Sequence, residues 1–81
     1  MKNLLDSLNT LFSDNATITP EMFYNISFGH HSISLQGKFS VATIAAFKGY
    51  NFSRLKSEVT DSGFVEITFV YLYANVTVTL T

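Results

Sequence analysis

Cysteine is absent from the 81 residues, which excludes a disulfide framework, a thiolate zinc site and a cysteine nucleophile together. Charge is scarce as well. Five basic and six acidic side chains leave a net charge of -1, too little field to draw nucleic acid by counterion release or to hold an anionic membrane. No window approaches the roughly 18 apolar residues of a membrane-spanning helix. The start, Met1-Lys2-Asn3-Leu4-Leu5-Asp6, lacks the continuous apolar block and small-residue cleavage site of a secretory signal. The expectation is an unprocessed, cytoplasmic chain that touches no membrane. A glycine-rich phosphate loop, a Gly-x-Ser-x-Gly elbow and a metal-ligand cluster are all missing. The inventory therefore points to a non-enzymatic protein with no catalytic residue, no cofactor and no metal.

What the chain does have is apolar bulk. Hydrophobic residues make up 47% and aromatic residues 15%, with eight Phe and four Tyr. Each aromatic side chain can bury on the order of 150 to 250 Å². That allows a dense core in a chain near the lower size limit for folding without metal or disulfides. One domain over 1–81 is expected.

The clearest pattern lies in the last third. Val65, Ile67, Phe69, Tyr71 and Tyr73 are apolar at every second position, the period of a strand with one buried face. The phase then slips, and Val76, Val78 and Leu80 continue on even numbers. A two-residue loop at Ala74-Asn75 would set Tyr73 against Val76, Tyr71 against Val78 and Phe69 against Leu80. Upstream, Tyr24, Ile26 and Phe28 alternate with polar residues, as do Ile33 and Leu35. A loop at Gly29-His30, with Gly first, would make a second hairpin with Ile26 against Ile33. Asp61-Ser62-Gly63 resembles a three-residue turn that sets Val59 against Val65 and Ser57 against Ile67.

Two helices complete the set. Leu4, Leu5, Leu8, Leu11 and Phe12 form an apolar stripe over about three turns, with Asp6, Ser7, Asn9 and Thr10 opposite. Ser40 can cap a short helix Val41 to Lys48, which Gly49 ends in a left-handed conformation. Between these elements, Thr19-Pro20-Glu21 reads as one helical turn or as extended chain. The fold class is α+β, in the order α-β-β-α-β-β-β. An antiparallel sheet of about five strands is expected, built from a hairpin and a three-stranded meander, with both helices on one face.

Candidate functional residues follow from that frame. His30 and His31 are adjacent in a turn, where two imidazoles chelate poorly and no third ligand is near. The meander register sets Glu58 against Glu66, two carboxylates on a solvated face that a partner's basic group could meet. Lys48, Tyr50, Phe52, Arg54 and Lys56 share one parity, a basic and aromatic stripe suited to single-stranded nucleic acid. The same parity puts Phe52, Phe64, Val70 and Leu72 on the outer sheet face beside Thr68, Thr77 and Thr79. A second face that is partly apolar calls for a partner, and a last strand at the sheet border could pair with its copy. The expected binding set is Tyr50, Phe52, Arg54, Lys56, Glu58, Glu66, Val70 and Leu72. Four Asn-x-Ser/Thr sequons, at Asn15, Asn25, Asn51 and Asn75, carry no chemistry without export.

The expected activity is protein-protein binding with self-association as a homodimer or higher oligomer. A small-ligand or nucleotide binder with its pocket between subunits is the alternative, and a single-stranded nucleic-acid binder the third. No motif ties the chain to a family. In size and texture it is similar to small accessory proteins of phages and mobile elements, many of which block host defences by binding. That likeness implies an inhibitor acting in a host cytoplasm.

Overall fold

The computed structural model describes residues 3–15, 17–50 and 52–81. They form helix α1 (Leu4–Asp14), a 3₁₀ turn (Pro20–Met22), β1 (Phe23–Gly29), β2 (Ser32–Gly37), helix α2 (Val41–Lys48), β3 (Ser53–Val59), β4 (Val65–Tyr71) and β5 (Ala74–Leu80). The class and the order of elements are those expected. The sheet, however, is mixed, in the order β1-β2-β5-β4-β3, with β2 parallel to β5 and the remaining neighbours antiparallel.

The parallel joint has a compositional reason. β5 alternates Val76, Val78 and Leu80 with Asn75, Thr77 and Thr79 and carries no charge, so it can sit between two neighbours. β3 carries Arg54, Lys56 and Glu58 and takes a border, where charge is tolerated. The C-terminal strand is thus central, which corrects the expectation that it forms an open edge.

One hydrophobic cluster joins the elements. Ile33, Leu35, Ile67, Phe69, Val76, Val78 and Leu80 line one sheet face and meet Leu8 and Leu11 from α1 and Phe47 from α2. Helix α1 starts at Asn3, whose side chain accepts from the Asp6 N–H at 2.9 Å. Its buried stripe is rotated from the expected one. Ser7 is buried with Leu8 and Leu11, while Leu5 is exposed. Helix α2 has its expected bounds and its Ser40 cap, with Ser40 Oγ accepting from Ala42 N–H at 3.2 Å. Gly49 departs from expectation: its φ of -71° is right-handed, and its N–H donates to the Ala45 carbonyl at 2.9 Å.

The first hairpin turns one residue and the last two residues away from the expected loops, which moves the pairing register by two and by four. β1 and β2 connect through His30-His31, which sets Ile26 against Leu35 and Phe28 against Ile33. β4 and β5 connect through Leu72-Tyr73, which sets Tyr71 against Ala74, Phe69 against Val76 and Ile67 against Val78. Both shifts are even, so each side chain keeps its face. Glycine and asparagine were the misleading signals, because here they lie in strands. The meander turn is as expected, with Val59 against Val65, Glu58 against Glu66 and Gly63 left-handed at φ 86°.

Each border strand contains a β-bulge. In β1 the register shifts between Phe23 and Asn25, and in β3 between Ser53 and Lys56. A bulge adds one residue and so reverses which face the preceding side chains take. Phe23 thereby enters the core opposite Gly37. A Cβ on Gly37 would lie 2.5 Å from the Met22 carbonyl oxygen, so only glycine lets the two strands approach there.

Candidate binding surfaces

The expected binding set does not assemble on one face. Ser53 pairs with Val70 on the outer side, and the bulge at Arg54 (φ 58°) turns Phe52 to the helix side. There its ring stacks on Phe69, with centroids 4.2 Å apart and planes at 15°, and meets Tyr71 edge-on at 6.0 Å. Phe52 is therefore core packing. Tyr50 lies on the same side, 5.7 Å from Phe52, with its Oη 2.9 Å from Thr17 Oγ1. Lys48 belongs to the last turn of α2. The basic and aromatic stripe is broken up, because strict alternation carried it across a bulge and into a helix.

The outer face does hold Lys56, Glu58, Glu66 and Val70. Register orders this face in three rows across all five strands: Gly29, Ser32, Asn75, Val70, Ser53; Ser27, Ser34, Thr77, Thr68, Lys56; and Asn25, Gln36, Thr79, Glu66, Glu58. Val70 is the single aliphatic side chain in these rows. The face expected to be partly apolar is polar, since Phe52 has left it, Phe64 precedes β4 and Leu72 lies in a turn. Asn25 Nδ2 donates to Gln36 Oε1 at 2.7 Å, which ties the first and second strands at the row's end. Of the sequon residues, Asn15 is buried, its Nδ2 donating to the Leu11 carbonyl at 2.8 Å. Asn51 lies outside the described residues.

Leu5 is exposed on α1 and Tyr24 and Phe28 on the border strand β1, and the other exposed large apolar side chains lie toward the two ends of the sheet. At one end are the His30-His31 and Leu72-Tyr73 turns, held together by Asn75 N–H donating to the His31 carbonyl at 2.9 Å. Leu72 (φ 47°), Tyr73 (φ 69°) and His31 (φ 58°) are left-handed there, and Tyr73 is 95% exposed. The two imidazoles lie 4.2 Å apart, edge to face. Among the described residues, no three His, Cys, Asp or Glu side chains converge as a metal site would require.

At the other end are Phe39 (52% exposed), Val41 (77%), Val59 (72%) and Phe64 (41%). Their placement follows from register. Val59 pairs with Val65, Val65 with Leu80, and Phe64 directly precedes this row. Phe39 N–H donates at 2.7 Å to the carbonyl of Thr81, the residue after Leu80, and Val41 opens α2 two positions later. Alternation placed Val59 on the core side of its strand, and helical spacing placed Val41 on the apolar side of α2 with Ile44, Ala45 and Phe47. Val59 has the right parity, but it lies at the end of border strand β3, outside the buried Val65 and Leu80 of its row, and Val41 opens α2 with its side chain in solvent. Phe39 had one signal in the chain, a lone aromatic between the strand-ending Gly37 and the capping Ser40.

No known protein family, curated protein or solved structure matches the chain. Its function must therefore be argued from these surfaces alone. A concavity of about 730 Å³ lies between α2 and the connection from α1 to β1 and is lined by Thr17, Met22, Ala42, Ala45, Ala46, Gly49 and Tyr50. Its polar groups are the Thr17 and Tyr50 hydroxyls, which are bonded to each other. A small-molecule site needs polar groups that converge on the ligand, and these are already engaged.

Proposed function

We propose that this protein is a non-enzymatic binding protein that engages another protein through the apolar end formed by Phe39, Val41, Val59 and Phe64. The observation that carries this reading is the exposure of four large apolar side chains toward one end of the sheet. Single exposed apolar residues need no explanation, but a group of them marks an interaction surface. The four are spread over three separate segments and do not line the concavity described above. Exposed apolar side chains distributed in this way suit a protein surface with an uncharged apolar centre better than a small ligand. Such a protein acts by occupying its partner, as an inhibitor or a regulator does.

The test pairs capture with stability. The native chain, immobilised, is expected to retain a discrete protein from lysate of the source cell, and the double variant Phe39→Ser, Phe64→Ser is expected to lose it while keeping the native melting temperature within a few degrees. Each serine removes an exposed apolar contact on the order of 1 to 2 kcal/mol at an interface, so the pair should weaken binding at least tenfold. Equal retention by native and variant chains would refute the assignment of this surface.

A further inference from the structure

The two borders of the sheet differ in a way that bears on self-association. β3 presents Arg54, Lys56 and Glu58, and left-handed Arg54 interrupts its ladder with β4. Charge and bulges are the means by which natural sheets keep a border from pairing. β1 has no charged residue from Phe23 to Gly29, and its own bulge lies at its start, before Asn25, so that its register with β2 is unbroken from Asn25 to Gly29. Gly29 and Ser32 flank the two-residue turn and so form a hydrogen-bonded pair. Alternation then makes Phe28 with Ile33, and Ile26 with Leu35, the non-hydrogen-bonded pairs. The N–H and C=O groups of Ile26 and Phe28 consequently point outward along the free border.

We propose that this border pairs with the same border of a second copy, antiparallel, about a two-fold axis between the two Ser27 residues. Ile26 then exchanges hydrogen bonds with the partner's Phe28, and Phe28 with the partner's Ile26, so every outward group meets another outward group. The side chains agree with the backbone. Ile26 is half-buried and Phe28 is 47% exposed on the helix side, and pairing sets each against the other's apolar surface. On the polar side Ser27 faces the partner's Ser27, a close pair that small side chains accommodate, and Asn25 faces the partner's Gly29. The contact is isologous, so it closes as a dimer with one ten-stranded sheet. Pairing of β1 with β3 of another copy would be heterologous and would not close as a two-fold dimer, and the charges and bulge of β3 oppose it.

This dimer uses none of the four residues of the proposed partner-binding end, so either idea can fail while the other stands. Sedimentation equilibrium of the full chain is expected to show a dimer at about 10 to 100 μM. Ser27→Lys sets two like charges directly opposite each other across the axis and is expected to raise the dimer dissociation constant at least tenfold. Ser27→Asp should do the same. An equimolar mixture of the two variants should restore a dimer containing one of each. Ser27 is exposed on the border strand, and unchanged melting of the variant monomers checks that they fold. Three results would each overturn the proposal: a native chain still monomeric at about 1 mM, a native dimer that both substitutions leave unaltered, or weakened variants that fail to associate when mixed.

Discussion

Leu72 and Tyr73 occupy backbone conformations that asparagine and glycine adopt with far less strain. Both φ values are positive, 47° and 69°, as the two central residues of a tight hairpin turn require. For an L-residue with a side chain the left-handed region costs roughly 1 to 2 kcal/mol. Tyr73 recovers little of this through packing, since it is 95% exposed. Replacing the pair as Leu72→Asn with Tyr73→Gly is therefore expected to raise stability by about 1 kcal/mol, seen as a higher urea midpoint at unchanged slope. The same residue-level strain explains why the turn was misplaced when read from the chain. Turn chemistry favours Asn75, and nothing local announces that leucine and tyrosine will bend instead.

At the level of elements, the two border bulges decide more than any single side chain. Each inserts one residue and exchanges the faces of what precedes it, bringing Phe23 and Phe52 into the core. Read by strict alternation, Phe52 belongs outside and its loss should be harmless to the fold. The stacking on Phe69 at 4.2 Å implies the opposite. Phe52→Ser is expected to lower stability by about 2 to 3 kcal/mol, less than for a fully enclosed phenylalanine because the ring is only partly buried. Urea unfolding would show it directly. A variant within a few tenths of a kcal/mol of the native chain would mean that the ring is not packed as described. Alternation was otherwise reliable: the even-numbered shift of two hairpins left every core residue on its side.

At the scale of the whole molecule, α1 is fastened to the sheet at both ends. Ser7 Oγ reaches the Leu72 carbonyl at 3.5 Å near its start, and Tyr71 Oη donates to Asp14 Oδ2 at 3.0 Å near its end. The Tyr71 hydroxyl is held above its ordinary value of 10.0, first by burial, then by its bond to Asp14 and the charge of that carboxylate, with Asn15 acting in the opposite sense. A raised value in the folded state means that the folded chain keeps this proton after the unfolded chain has lost it. Its contribution is therefore complete below about pH 10 and disappears as pH rises through the folded value. Tyr71→Phe is expected to be less stable than the native chain at neutral pH and to lose stability less steeply above about pH 9. Melting temperatures measured across that range would check both the offset and the slope.

The chain by itself determined the number and order of its elements, the identity of most core residues and the register of the Glu58 and Glu66 pair, because these depend on side-chain period and on local caps and turns. Tertiary structure alone decided the parallel joint of β2 to β5, the two bulges, the turn positions and the exposure of Phe39, Val41, Val59 and Phe64. The physical reason is range. A period survives any even shift of register, so it cannot reveal where a turn lies. Which strand ends in the centre depends on whether charge can be hydrated, and that is settled only when the strands compete for places in one sheet.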